Sequence, residues 1–258
     1  MGFESGGGSG WPGTDWIEDI MLRTAGPEVY DQWVAHDIPW TDARLKYAFE
    51  LFGQIARNPT YVLGGPEGAL SINFRDSPNG LFTEPPGCLL HHQASFIQTF
   101  IQKANPNLVP VVDFNVFLFP PIDPARENPL SGGGSIIGLF KDTEMNRKFM
   151  EYLASREGQQ IWVNEGGQEP PTNQNVNLSA LDPLSSRVTE LLRSAAAFRF
   201  DASDLMPAAV GSGAFWTAML NYVGGADVCT VLLKLEEAAE QAYTSGAATN
   251  GVIEPGGC

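Results

Sequence analysis

Five carboxylates, Glu4, Asp15, Glu18, Asp201 and Asp204, stand in or beside glycine-rich or helix-starting segments of the chain. Two carboxylates flanking one glycosidic bond would be the equipment of a glycoside hydrolase. In a chain with 30 acidic residues, such side chains equally serve to solvate the surface or cap helices, so no catalytic pair is assigned. Adjacent His91 and His92 point to opposite sides of a strand or loop, a poor arrangement for gripping one metal ion. A polar contact or a ligand hydrogen bond suits His91 better. Three histidines without a Cys-x-x-Cys pair give no structural zinc site, and no metal or cofactor is expected. No Ser/His/acid or Cys/His constellation stands out. The glycine runs fail as phosphate cradles. "GGGSGW" (6 to 11) has no Lys-Ser/Thr at the right distance and no strand before it, and "SGGGSII" (131 to 137) precedes a strand instead of following one.

Tryptophan carries more information. Trp11 and Trp16 lie beside the first glycine-rich turn, and Trp216 follows another in "GSGAFW". Core tryptophans usually lie within long apolar stripes, as Trp33 does. A ring beside small, pliant residues suits a cleft wall, where a ligand can approach the backbone. An apolar ring with polar neighbours matches a sugar, whose faces are rich in C–H and whose edges are hydroxyls. Trp216 is read as lining a cleft; for Trp11, cleft and core remain equally open.

Composition narrows the classes. The 258 residues suffice for one large domain or two modest ones, and a 43% hydrophobic content can supply a core. With 15 basic residues against 30 acidic ones, the formal charge of −15 repels phosphate backbones, so nucleic acid is excluded as a partner. No run of 18 apolar residues is present, and nothing at the start reads as an export signal, which points to the cytoplasm for the chain as written. Cys88, Cys229 and Cys258 are too few and too scattered for a disulfide framework.

The elements that must position these residues alternate between helix and strand, which indicates an α/β fold with helices layered on sheet. Thr14 is the expected cap of a helix carrying Trp16, Ile17, Ile20 and Met21; Pro27 starts a second. Thr41 caps a third, with Leu45, Ala48, Phe49, Phe52 and Ile55 on one face. Strands are expected in "VDFNVFLFPPI" (112 to 122) and "GGGSIIGLF" (132 to 140), with a short one in "FRFDAS". Helices are expected at 143 to 154, 156 to 165, in "DPLSSRVTELLRSAAA", and in the two segments that end near Tyr243. Few strands fall in the first 85 residues, too few for a full sheet.

The run "NRKFMEYLASREGQQIWVNEGGQEPP" (146 to 171) resembles a segment of the solute-binding proteins of carbohydrate ABC importers. "DLMPAAVGSGAFWTAMLNYVGGADVCTVLLKLEEAAEQA" resembles the terminal segment of the maltose-binding-protein group. "ESGGGSGWPGTDWIEDIMLRTAGPEVYDQW" and "FRDSPNGLFTEPPGCLLHHQASFI" are closer to its α-glucoside-binding branch. The four segments come in the family's order. Leu89 after "PPGC", Ser155-Arg156-Glu157 between two helices and Gln168-Glu169 in "GGQEPP" depart from its pattern.

The resemblance implies an α/β, periplasmic-binding-protein-like two-lobe fold, incomplete, with most of lobe one missing. Residues 1–125 correspond to the first part of lobe two, 130–178 to a return segment of lobe one, 182–243 to the closing helices of lobe two, and 244–258 to a flexible tail. It implies a non-enzymatic binding component that clasps an oligosaccharide, an α-glucoside in this branch, and presents it to membrane permease subunits from the periplasm or cell exterior. Trp216 and Trp11 would be the stacking platforms, with Glu4, Asp15, His91 and Asp204 as hydroxyl partners. A separate chain supplying lobe one would be a further partner. The alternatives are a glycoside hydrolase fragment using paired carboxylates, or a truncated remnant without function.

Overall fold

Proline opens the first helix earlier than its threonine would. Pro12 sits in the first turn, where its missing N–H costs nothing, and α1 runs Trp11–Thr24. Thr14 is thereby carried inside the helix, where its hydroxyl bonds back to the Trp11 carbonyl at 2.9 Å. Pro27 starts α2, Pro27–Val34, as its fixed backbone angle favours. In α3, Ala43–Ala56, the capping residue is Asp42 and not Thr41; its carboxylate accepts from the Arg44 backbone N–H. Leu45, Ala48, Phe49 and Phe52 are fully buried along α3, whereas Ile55 lies at the margin of the stripe, 37% exposed.

A computed structural model describes residues 2, 9–126, 128–166, 169–243 and 257–258. After α3 come α4 (Gly65–Ser71), a 3₁₀ turn at Ser77–Phe82, and α5 (Ile97–Ala104). The strand β1 (Pro129–Gly132) precedes α6 (Glu144–Ala154), α7 (Arg156–Asn164) and α8 (Pro183–Ser194). Then follow β2 (Ala197–Phe200), α9 (Ala202–Leu205), a π-helical segment Ala209–Phe215, α10 (Trp216–Val223) and α11 (Val228–Tyr243). The short strand expected near "FRF" is β2. It pairs in parallel with β1, Leu130 opposite Phe198.

The two longer strands do not form. Only an isolated bridge, Pro110 to Phe114, marks the first, and beyond Gly132 the second is irregular. Ile136 is 88% exposed and Phe140 wholly so. A strand needs a neighbouring ladder for its backbone and a layer for its side chains. Neither is supplied to these segments among the described residues.

The chain divides into two units. The first comprises 1–93, 119–133 and 196–258. Its interior is aromatic: Trp33, Trp40, Tyr30, Phe49, Phe52 and Phe215 are all fully buried. Trp33 meets Trp40 edge-on at 5.2 Å, and Trp40 meets Phe215 at 4.8 Å. Cys229 at the start of α11 is bonded to Cys258, and the Cys258 backbone N–H donates to the Thr41 carbonyl at 3.0 Å. Two of the three cysteines therefore pair, and the last two residues are anchored where the sequence suggests a loose tail. The second unit comprises 94–118 and 134–195. Its α8 begins at Asp182, whose carboxylate caps the Leu184 and Ser185 N–H groups and accepts from Gln98 on α5 at 2.9 Å. Its α6 has no buried residue and α7 only Val163. Among the described residues no helix is long and apolar enough to cross a membrane.

Candidate functional site

The first unit gathers most of the residues singled out by sequence along α1 and the segments packed on it. Gly10 precedes α1 and lies so close to Trp216 that a Cβ at this position would overlap the Trp216 backbone. The close approach brings the start of α1 to the start of α10, and with it Trp11 to Trp216. Both tryptophans are half-buried. Trp11 meets Phe74 edge-on at 5.0 Å. The indole N–H of Trp216 is shielded from water and makes no hydrogen bond among the described residues.

One turn along α1, Asp15 and Glu18 share a face, because residues three apart are neighbours on a helix. Asp201, between β2 and α9, joins them. One carboxylate oxygen from each of the three lies within 4.8 Å of the other two. Glu18 is fully buried. Its Oε1 accepts from the Ser203 N–H at 3.0 Å, but Oε2 has no hydrogen-bond partner among the described residues. Burial, and then the Asp201 charge, push Glu18 well above the usual carboxylate range, only partly offset by the Ser203 hydrogen bonds. Asp15 is raised by burial and by Glu18 and Asp201. Asp201 is pushed up to about 6 by burial and by Asp204, against a hydrogen bond from Ser131. Asp204 itself is exposed on α9.

A second polar group stands on the next turn. Asp19 holds Arg23 at 2.6 Å and His92 Nε2 at 2.9 Å. Arg23 is buried and donates to the carbonyls of Phe119 and Pro129, which fixes α1 against both connecting segments. Trp16 faces His92 with ring centres 4.5 Å apart and meets Phe119 edge-on at 5.3 Å. His91 is engaged elsewhere, with Ser77 Oγ 2.7 Å from its Nε2. Burial lowers its pKa to about 3, so the ring is neutral. Glu4 lies outside the described residues. The sequence reading named Glu18, Asp201, Trp16 and His92 without choosing them as ligand contacts, and it passed over Asp19. For Asp15, Glu18 and Asp19 the i, i+3, i+4 spacing was the available signal; for Asp201 and His92 there was none, since chain folding alone brings them to α1.

No protein-family model matches the chain. It is 46% identical over 237 residues to the osmoprotective compounds-binding protein GgtB of Synechocystis, across 92% of this chain and 55% of that protein. It is 43% identical over 241 residues to the alpha-glucosides-binding periplasmic protein AglE of Rhizobium meliloti, across 92% of this chain and 52% of that one. The chain is homologous to these solute-binding proteins. The chain spans about half the length of the curated relatives it matches. A chitin oligosaccharide binding protein shares its fold, with a TM-score of 0.71 over 95% of this chain and 60% of that structure, at 17% identity. The helix-rich α/β architecture is thus that of part of a two-lobed fold.

Proposed function

We propose that this chain contributes one wall of the sugar site of a solute-binding protein serving a carbohydrate ABC importer, and that its ligand is an α-glucoside or a related small osmoprotective sugar. The observation that carries the reading is the pair Trp11 and Trp216, drawn together by the Gly10 contact and left half-exposed, with the Trp216 N–H unspent. Aromatic faces pack the C–H side of a pyranose, and carboxylates such as Asp15 accept from its hydroxyls. Asp204, exposed on α9, is a further hydroxyl acceptor. His91, neutral and tied to Ser77, serves the wall through the loop it holds. We assign 1–125 and 182–243 to one lobe and 130–178 to the other, although 94–118 and 182–195 cluster with the second unit in this structure.

A ligand that touches both lobes of such a protein stabilises the closed form, which is what a permease would read. The half-length match means that closure and permease contact belong to the whole protein. The likeness to a periplasmic relative, together with a Cys229–Cys258 disulfide, fits an oxidising compartment outside the cytoplasm.

The hydrolase reading fares worse on geometry. Glu18 is fully buried, which keeps it from flanking a glycosidic bond.

Calorimetric titration with trehalose, sucrose and maltose tests the proposal. One of them should bind saturably, Trp216→Ala should weaken it about tenfold or more, and no chromogenic α-glucoside should be turned over. Binding unchanged by Trp216→Ala would remove this wall from the site.

A further inference from the structure

We propose that Asp15, Glu18 and Asp201 form a binding site for a hard divalent cation, calcium in the first instance, that ties α1 to the β2–α9 junction. The site goes beyond sugar recognition and does not depend on it. Three carboxylates converge, each offering an oxygen within 4.8 Å of the other two. Oxygens around a calcium ion, bound at about 2.4 Å each, span up to about that distance. A cluster of acids on a surface would signify nothing, but this one has a buried member. Glu18 is fully buried, and its Oε2 has no hydrogen-bond donor among the described residues.

No salt bridge reaches any of the three among the described residues. Arg23, the buried cation on the same helix, is paired with Asp19 instead. The hydrogen bonds that do arrive come from Ser203 to Glu18 Oε1 and from Ser131 to Asp201 Oδ1, which orient the carboxylates and leave other oxygens free for an ion. Gly133 permits the crowding: a Cβ there would stand 2.9 Å from Asp201 Oδ2. All donors are oxygens, with no histidine or thiolate, which selects calcium, magnesium or manganese over zinc. Asp15 and Asp201 are partly buried, whereas Glu18 is fully buried.

The test uses the full chain stripped with EDTA and titrated calorimetrically with calcium, magnesium and zinc chloride, with thermal melting in parallel. The expected result is saturable calcium binding tighter than ~1 mM, with a melting temperature that climbs as calcium rises. Glu18→Gln and Asp201→Asn should each weaken it about tenfold or more, while Glu237→Gln, on the exposed face of α11, leaves it unchanged. Asp15→Asn, at the half-exposed position, serves if the buried variants misfold. Absence of saturable binding, preference for zinc, or equal weakening by Glu237→Gln would overturn the site. Trp216→Ala should leave the calcium titration intact, so failure of the sugar reading and failure of this one are separable.

Discussion

His91 is the residue whose charge state the fold dictates most plainly. Its ring is largely enclosed, and its Nε2 lies 2.7 Å from Ser77 Oγ, whose hydroxyl also reaches the Phe74 carbonyl. Burial depresses the pKa from an ordinary 6.5 to about 3. The unfolded chain therefore binds a proton near pH 6 that the folded chain refuses. A folded pKa below the unfolded one stabilises above pH 6.5, and that stabilisation is lost progressively as pH falls toward 3. Between neutrality and about pH 5 the loss should be about 1–2 kcal/mol. Urea denaturation of the wild type and His91→Asn at both pH values measures it, because contributions from other groups cancel in the difference. The wild-type advantage should shrink at the acid end; an equal gap at both pH values would mean that the ring is not held neutral. The same residue shows where sequence reading stops. Its type announced a polar role, but the partner lies 14 residues away along a loop whose course no periodicity encodes.

At the scale of elements, the helices were legible and the sheet was not. The apolar spacing of α3 and the prolines of α1 and α2 act within one or two turns, so local sequence carries them. The failed strands at 112 to 122 and 132 to 140 have strand-like sequence, but pairing is a property of two segments, and one was missing. The helix α5 escaped notice for the opposite reason: it is only eight residues long, and just Gln98 and Ile101 are buried. The candidate site was legible at Trp216 and Asp15, while the approach of Gly10 to Trp216 is a tertiary event. That approach is testable. Gly10→Ala would drive a methyl into the Trp216 backbone, where backbone cannot yield as a side chain would. It should cost about 1–3 kcal/mol, read as a lower urea midpoint, and should loosen sugar binding by shifting Trp11 against Trp216. Gly138→Ala is the contrast: its nearest neighbour, a Phe140 ring carbon, is 3.8 Å away, and the midpoint should not move.

The molecule as a whole is stabilised unevenly. The first unit has an aromatic core and a disulfide that closes a 29-residue separation at the end of the chain. In the second unit, Phe149 is 59%, Ile161 54% and Trp162 57% exposed. Burying one such side chain contributes roughly 1.5–3 kcal/mol, so α6 and α7 forgo stabilisation comparable with that of a small domain, about 5–15 kcal/mol. A covering layer over these helices would restore it. The disulfide separates the two contributions experimentally. Closing a loop of this length restricts the unfolded chain by about 3–4 kcal/mol, and Cys258 also pins the residues around Thr41. Reduction, or Cys258→Ser, should therefore accelerate hydrogen exchange in α11 and α3 by tenfold or more, where Leu232, Leu235, Leu45 and Phe49 share one core. Amides of α6 and α7, which carry few buried side chains, should exchange at the same rate before and after. Uniform acceleration across both units would show instead that the chain unfolds as one cooperative body, with the uncovered helices stabilised by the same core.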